Sequence, residues 1–456
     1  MKIAVLGAGL AGLSAAEELV RRGHEVVVVE KEVFAGGLAA TVSRGGFHYD
    51  LGPHRFHTAN DLILDFVRGL PGINLMELER VSRLRLLDRY FDYPLSLGNV
   101  LSRMPLHCGA GMMLSFLAEK VRGLYSPREQ KSFEGWVLSR FGRKLYELYL
   151  APYNKKLWGM EPSKLSADWA SQRITVPSLA GLIRETILPS KVTVRSLVST
   201  FHYPAGGIGE ISRGIVSRIT DLGGTLLFSA EPTELVRTAS GWRISLPDSH
   251  IDCDKVINTI PVNRFTELLG SILPDDVHRS AAKLNFRALV FLTILLDRDT
   301  GPLDHWIYTS EDRYLFNRLS IPGNFDSSVP SQVVFEYSCV EGDEVWNMAQ
   351  ADLLRSTVPG AEHLGLFKAE MVLGADVSRC SHAYPVYDLN YAENAARVLD
   401  TIEEIPDCVT CGRQGLFRYN NMDHSIEMGK YAALETLGEA SVKNHFNWHE
   451  NTWADG

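Results

Sequence analysis

The chain has 456 residues, enough for two or three domains or one large composite. It is 45% hydrophobic and 22% charged, which supplies a sizeable core, and its net charge of -9 excludes the broadly basic surface that nucleic acid asks for. No apolar run approaches the roughly 20 residues of a membrane span; the longest, Ala288–Leu296, reads as a buried strand. Met1 leads straight into a strand, so neither a signal nor a transit peptide is expected, and the expected location is cytoplasmic. Six cysteines make no disulfide framework. Cys408 and Cys411 spell C-x-x-C, but inside an apparent strand rather than at a helix start, which argues against a redox pair.

In chain order, Lys2–Leu6 is predicted as a short apolar strand. Gly7-Ala8-Gly9-Leu10-Ala11-Gly12 follows, then a helix to about Arg22, a turn at Gly23-His24, and a buried strand Val26–Val29 ending at Glu30. A lone G-x-G-x-x-G says little. Strand, turn, helix and strand with an acid at the end make it a dinucleotide site. Gly7 permits the tight turn, Gly9 lets backbone approach a pyrophosphate, and Gly12 lets helix and strand pack closely. The helix N-terminus meets the phosphates, and Glu30 accepts from a ribose hydroxyl. A second glycine pair, Gly36-Gly37-Leu38, and then Phe47–Gly52 come soon after.

Between about 90 and 195 the pattern is helical. Phe133–Leu150 reads as one helix, its basic residues a solvated face. Gly223–Val256 reads as two or three strands leading into Val256–Pro261. Strand-like runs dominate 284–385, as a sheet over the cofactor. Near the end, Cys408–Gly412 is predicted as a strand, and Asp423-His424-Ser425 as the cap of a helix from about Ile426 to Glu439. The expected class is α/β. A Rossmann-type domain is assembled from 1–90, 200–275 and 386–456, with a helical insert at 91–199 and a mainly antiparallel β-sheet substrate domain at 276–385. No metal-ligand spacing and no Ser–His–Asp arrangement stands out.

The paired glycine motifs resemble the FAD-binding fingerprint of the amine oxidase and protoporphyrinogen oxidase superfamily. Further segments resemble UDP-galactopyranose mutases, more the eukaryotic than the bacterial branch. They are Gly52-Pro53-His54-Arg55-Phe56-His57-Thr58; Ala151–Trp158, running on to Arg173 and Pro177; Phe201–Pro204 with Gly206–Gly209; Trp306-Ile307-Tyr308 with Arg318; Tyr384-Pro385; and Gly412-Arg413 with Tyr419, Asn421 and Asp423–Ser425. The resemblance implies that FAD is held by Gly7, Gly9, Gly12, Glu30, Gly36, Gly37, Leu38, Gly52, Gly412, Arg413, Asp423, His424 and Ser425. The last helix would point its N-terminus at the flavin.

It implies a nucleotide-diphosphate sugar as substrate, met by Tyr93, Asn154, Tyr308, Tyr384, Tyr419 and Asn421. Arg173 and Arg318 would clamp its diphosphate, and His54 would set the hydrogen bonding near flavin N5. The reaction implied is a pyranose–furanose ring contraction through a reduced-flavin N5-glycosyl adduct, with no net redox change. NAD(P)H or another reductant would activate the flavin, and the product would feed polysaccharide or glycoside biosynthesis. Departures from the family pattern leave the nucleotide and sugar open: Leu95-Ser96 follows Tyr93-Pro94 in place of Phe-Gln, Val198 stands where the eukaryotic pattern has asparagine, and the loop between Tyr419 and Asn421 is shorter than the eukaryotic form. The rival expectation is an oxidoreductase of the amine oxidase or protoporphyrinogen oxidase type, with an apolar or amine-binding pocket lacking paired arginines. A non-catalytic FAD-bound sensor is the third.

Overall fold

The computed structural model describes residues 1–93, 103–126, 129–173 and 199–446, with the side chains of Leu106 and Ser171–Arg173 left aside. Its first layer is a five-stranded parallel sheet in the order Cys408–Thr410, Lys255–Asn258, Lys2–Leu6, Glu25–Val29, Thr225–Leu227. The strands come from three separated chain pieces, as expected. Valine and isoleucine dominate the inner strands because elements packed on the sheet bury them, whereas the edge strand Thr225–Leu227 is partly exposed. Helix Leu10–Arg21 lies between helices Glu210–Asp221 and Met422–Thr436 and joins the pieces into one core. Asp50 adds a polar tie, accepting from the Tyr203 hydroxyl at 2.7 Å and the Ile208 N–H at 3.2 Å. Burial raises its carboxyl to about 6.

Three expectations are corrected here. The stretch 223–256 holds the sheet strand Thr225–Leu227 and a three-stranded meander, Glu234–Thr238, Gly241–Ser245 and His250–Cys253, before Lys255–Asn258 begins. Turn residues at Ser240-Gly241 and Pro247–Ser249 divide it more finely than its apolar runs suggest. The single helix over Phe133–Leu150 is broken: Gly142, at φ 80°, ends helix Phe133–Phe141, and a short turn and a π-helical stretch Tyr146–Leu150 lead into helix Ala151–Trp158. The final helix is Met422–Thr436, and its N-cap is Asn421. The Asn421 side chain accepts from the His424 backbone N–H, and its own N–H donates to His424 Nδ1 at 3.4 Å. Asp423 and Ser425 therefore lie inside the first turns rather than ahead of them. The stretch 284–385 is mainly sheet, as expected, and also contains helix Gln350–His363, whose apolar residues pack on the sheet.

The second sheet has seven strands, in the order Val372–Pro385, Phe286–Leu296, Gln332–Cys339, Arg318–Ser320, Trp306–Thr309, Ser82–Leu86, Arg89–Asp92. All neighbours are antiparallel except Trp306–Thr309 with Ser82–Leu86. The hairpin Ser82–Asp92 thus completes this sheet from the other side of the helical insert, and the expected boundary at residue 90 falls within it. Apart from Arg287 and Thr293, Phe286–Leu296 is apolar because one of its faces packs with helix Gln350–His363 and the other with Tyr49 and Leu51 of the first domain. Cys408 and Cys411 are free and buried, and burial pushes the Cys408 thiol up to about 12.

Candidate functional site

The glycine turn after the first strand is shaped for close approach. A Cβ on Gly12 would sit 2.0 Å from the Gly7 carbonyl oxygen, so only glycine lets the helix start against the turn. A Cβ on Gly9 would meet nothing within 4 Å, and Gly9 caps the helix without a side-chain hydrogen bond. The first helical N–H groups therefore face open space with positive dipole, which suits a phosphate. Glu30 ends its strand beside this turn. Its Oε2 accepts from the Ala8 N–H at 2.7 Å and its Oε1 from the Glu32 N–H at 2.9 Å. Burial raises its carboxyl, with the two amides opposing.

Gly36 donates to the Ala8 carbonyl at 2.8 Å, and Gly37 and Leu38 follow in a single 3-10 turn, so the second glycine pair lies against the first. Gly412 comes back to the same place, its position for a Cβ lying 2.9 Å from Ala11. A turn that side chains would fill, an uncapped helix start and an acid at the strand end fit a dinucleotide with a ribose. These residues can hold FAD.

The other end of the site is built by the seven-stranded sheet and the loop 52–58. Arg318 and Glu336 face each other across neighbouring strands. Glu336 is buried; its Oε2 accepts from Arg318 Nε at 3.2 Å and its Oε1 from Asn317 Nδ2 at 3.0 Å. Burial opposes the charge on Arg318, but Glu336 together with Tyr384, Tyr308 and Tyr153 outweighs it and holds the guanidinium well above its ordinary pKa. Arg318 Nη2 also lies 3.3 Å from the Tyr384 hydroxyl, to which it donates. Gly52 sits under this pair, its Cβ position 3.5 Å from Glu336 Oε2 and 3.7 Å from His54. His54 Nδ1 is buried with no hydrogen-bond partner among the described residues. Burial, then Arg413 and Arg318, push its imidazole down to about 3, so the ring is neutral.

Arg413 enters from the C-terminal loop. It donates to the Ala383 carbonyl at 3.5 Å and to Asn420, and its guanidinium stands 4.7 Å over the Tyr419 ring. Tyr419 stacks on Tyr384 at 5.6 Å, and Trp169 meets Tyr419 edge-on at 5.2 Å. A second aromatic group begins at Tyr308, 6.0 Å from Arg318: Tyr93 lies at 4.8 Å and Tyr153 at 6.0 Å. The structure thus brings together His54, Arg318, Tyr308, Tyr93, Tyr384, Tyr419, Arg413 and Gly52. Asn421, Asp423, His424 and Ser425 form the helix start beside them, where Asp423 Oδ1 is buried without a hydrogen bond among the described residues. Asn154 is engaged within the fold: it donates to the Leu150 carbonyl at 2.8 Å and accepts from Trp169 Nε1 at 3.3 Å. Arg173 closes helix Ala167–Arg173, and its side chain lies outside the described residues, as do Leu95, Ser96, Pro177 and Val198.

Sequence reasoning passed over Glu336 and quoted Tyr153 and Trp169 only within their motif. Glu336 carried a signal, being the one charge in the otherwise uncharged strand Gln332–Cys339. Arg55 was quoted only within its motif; it stands 5.6 Å from the Trp306 ring, and its Nη1 is buried and unpartnered among the described residues.

The profile of the family described as flavin containing amine oxidoreductase matches residues 10–361. A "Probable UDP-galactopyranose mutase" of Klebsiella pneumoniae is 27% identical over 169 residues, 36% of this chain and 43% of that protein. A phytoene dehydrogenase of Streptomyces griseus is 24% identical over 335 residues, 66% of this chain and 62% of that one. The matches thus span less than two thirds of either relative. Among solved structures, a reduced UDP-galactopyranose mutase superimposes with a TM-score of 0.86 at 22% identity, over 100% of this chain and 99% of that one. At that identity the likeness is one of fold.

Proposed function

This chain belongs to the flavin-containing amine oxidoreductase family, and from that premise we propose that it is a flavin-dependent nucleotide-sugar pyranose–furanose mutase of the cytoplasm. The observation that carries the reading is the Arg318 site: a guanidinium fixed by Glu336 and the Tyr384 hydroxyl, flanked by Tyr308, Arg413 and a neutral His54. Reduced FAD, when bound, supplies a nucleophilic nitrogen for the anomeric carbon and yields it again without net redox change. The chain's own task is then to hold a leaving group and keep it for return.

Arg318 can present the edge not occupied by Glu336 to a diphosphate oxygen, with the Tyr384 hydroxyl beside it, and Tyr419, stacked on Tyr384, is proposed as a further donor. Tyr93 and Tyr308 offer aromatic faces to a nucleobase at the far end. Arg173, from the helical insert, is proposed as the second diphosphate arginine. His54, with no proton to lose at working pH and one ring nitrogen unengaged, orients by hydrogen bonding rather than by acid–base exchange. Gly7, Gly9, Gly12, Glu30, Gly36, Gly37, Leu38, Gly52, Gly412, Arg413 and the turn at Asp423–Ser425 are proposed as the FAD-binding set. NAD(P)H is the proposed reductant, and polysaccharide or glycoside biosynthesis the setting.

The test is to incubate dithionite-reduced protein, without oxygen, with a panel of nucleotide sugars and resolve the products by chromatography. A furanose isomer should form with no stoichiometric reductant consumed. Arg318→Ala should lower turnover about ten- to a hundredfold, the loss of one charge-assisted contact worth roughly 1.5–3 kcal/mol, while retaining FAD. Oxygen uptake matching product one to one would replace this reading with the oxidoreductase one, which the phytoene dehydrogenase match favours.

A further inference from the structure

Helix Leu106–Tyr125 carries an apolar face that nothing among the described residues covers. Met113, Leu114, Leu117, Val121, Leu124 and Tyr125 are 44%, 67%, 47%, 57%, 80% and 86% exposed. At about 100° per residue they fall within one arc of roughly 120°. The opposite face is spent on the protein. Met112, Ser115, Phe116 and Glu119 point inward; the Ser115 hydroxyl accepts from the Lys144 N–H at 3.0 Å, and Gly142 packs against the Phe116 backbone. Scattered exposed leucines need no explanation, but six large apolar side chains on one stripe of one helix do.

The charge around the stripe names its occupant. The chain as a whole is acidic at -9, yet residues 103–158 hold ten lysines and arginines against four glutamates. Arg122 lies exposed beyond one edge of the stripe, 3.9 Å from Glu119, and Lys120 at the other edge donates to the Ser139 carbonyl at 3.3 Å over the Phe116 ring. The stripe is the outward face of a single helix, a ridge and not a groove. A second copy would bring the same cationic surround against itself. An acidic protein would need a groove of its own to receive the ridge. A fluid, anionic, apolar-cored surface meets both demands at once, since a helix with an apolar ridge and basic flanks settles at the boundary of headgroups and acyl chains. No helix among the described residues is long and apolar enough to cross a membrane, and this one need not.

We propose that helix Leu106–Tyr125 docks the protein on an anionic lipid surface. The site is separate from Arg318 and the cofactor turn, so the proposal stands whatever the reaction. The test uses the full flavin-loaded chain and co-sedimentation with vesicles of phosphatidylcholine alone, or of two parts phosphatidylcholine to one part phosphatidylglycerol. The wild type should pellet with the phosphatidylglycerol vesicles, less so as salt rises, and not with phosphatidylcholine alone. Leu114→Ser with Leu124→Ser should cut the bound fraction at least about tenfold, leaving melting temperature and flavin absorbance as in the wild type. Failure of the wild type to bind the anionic vesicles overturns the proposal. So does equal binding to both vesicles, retention of binding by the double variant, or displacement by polyglutamate with no vesicle binding. If sedimentation shows instead a dimer that the double variant dissociates, the face belongs to a second copy.

Discussion

Replacing Glu336 with glutamine tests how the arginine at the centre of the site is held. The carboxylate is buried, with its side chain 3% exposed, and Arg318 is 19% exposed beside it. Glutamine keeps the size and removes the charge. Removing one partner of a buried ion pair costs about 3–5 kcal/mol. The remaining amide oxygen can still accept one hydrogen bond, returning about 1 kcal/mol. The net loss is about 2–4 kcal/mol, and at an unfolding entropy of about 2.1 cal/mol/K per residue it lowers Tm by about 2–4 °C. The affinity for an anion should move the other way. A carboxylate about 6–8 Å from a bound phosphate repels it by about 2 kcal/mol at an effective dielectric of about 20. Glu336→Gln should therefore tighten UDP binding by about tenfold or more. Thermal unfolding followed by circular dichroism gives the first number and calorimetric titration with UDP the second. A variant with the wild-type Tm and unchanged UDP affinity would show that Glu336 neither holds Arg318 nor faces the anion.

Two further outcomes follow from the packing and the charges. Gly429→Ala places a Cβ 2.1 Å from the Ala11 carbonyl, where helices Leu10–Arg21 and Met422–Thr436 touch. Helix propensity alone would make that change favourable by about 1 kcal/mol; the clash should instead destabilise by about 1–3 kcal/mol, read as a lower denaturant midpoint and weakened FAD retention. His54 is held near 3 when folded and returns to about 6.5 when unfolded, so below 6.5 the unfolded chain binds the extra proton. Stability from this group is complete above about pH 6.5 and declines as pH falls towards 3, by up to about 1.4 kcal/mol per unit. His54→Gln should flatten the acid limb of a denaturation-against-pH curve by one proton's slope, and an unchanged limb would contradict a buried, neutral His54.

The cofactor end of the molecule was legible because its physics is local. Gly7, Gly9 and Gly12 are spaced by one turn of backbone, and Glu30 is one helix and one strand away, so adjacency in sequence is adjacency in space. The valine runs announced buried parallel strands for the same reason. The His54 loop, Arg318, Tyr384 and Tyr419 were reached through a resemblance, since nothing in their separate settings says that they meet. What only the tertiary structure decided are the long-range choices. Asn421, not Asp423, caps the last helix, because a cap is chosen by where the chain turns. The hairpin Ser82–Asp92 joins the sheet of the second domain, because the edge offered by Trp306–Thr309 accepts a parallel neighbour. Helix Gln350–His363, within a stretch where strand-like runs dominate, takes its place because the sheet offers an apolar face to cover. Glu336 was visible as a charge in an uncharged strand, but only the register that sets it opposite Arg318 turned an oddity into a counter-ion. Sequence carries what one or two turns of chain can settle alone; pairing across 18 residues, as between Arg318 and Glu336, or across the distance from Ser82 to Trp306, is settled by which surfaces remain to be buried when the elements meet.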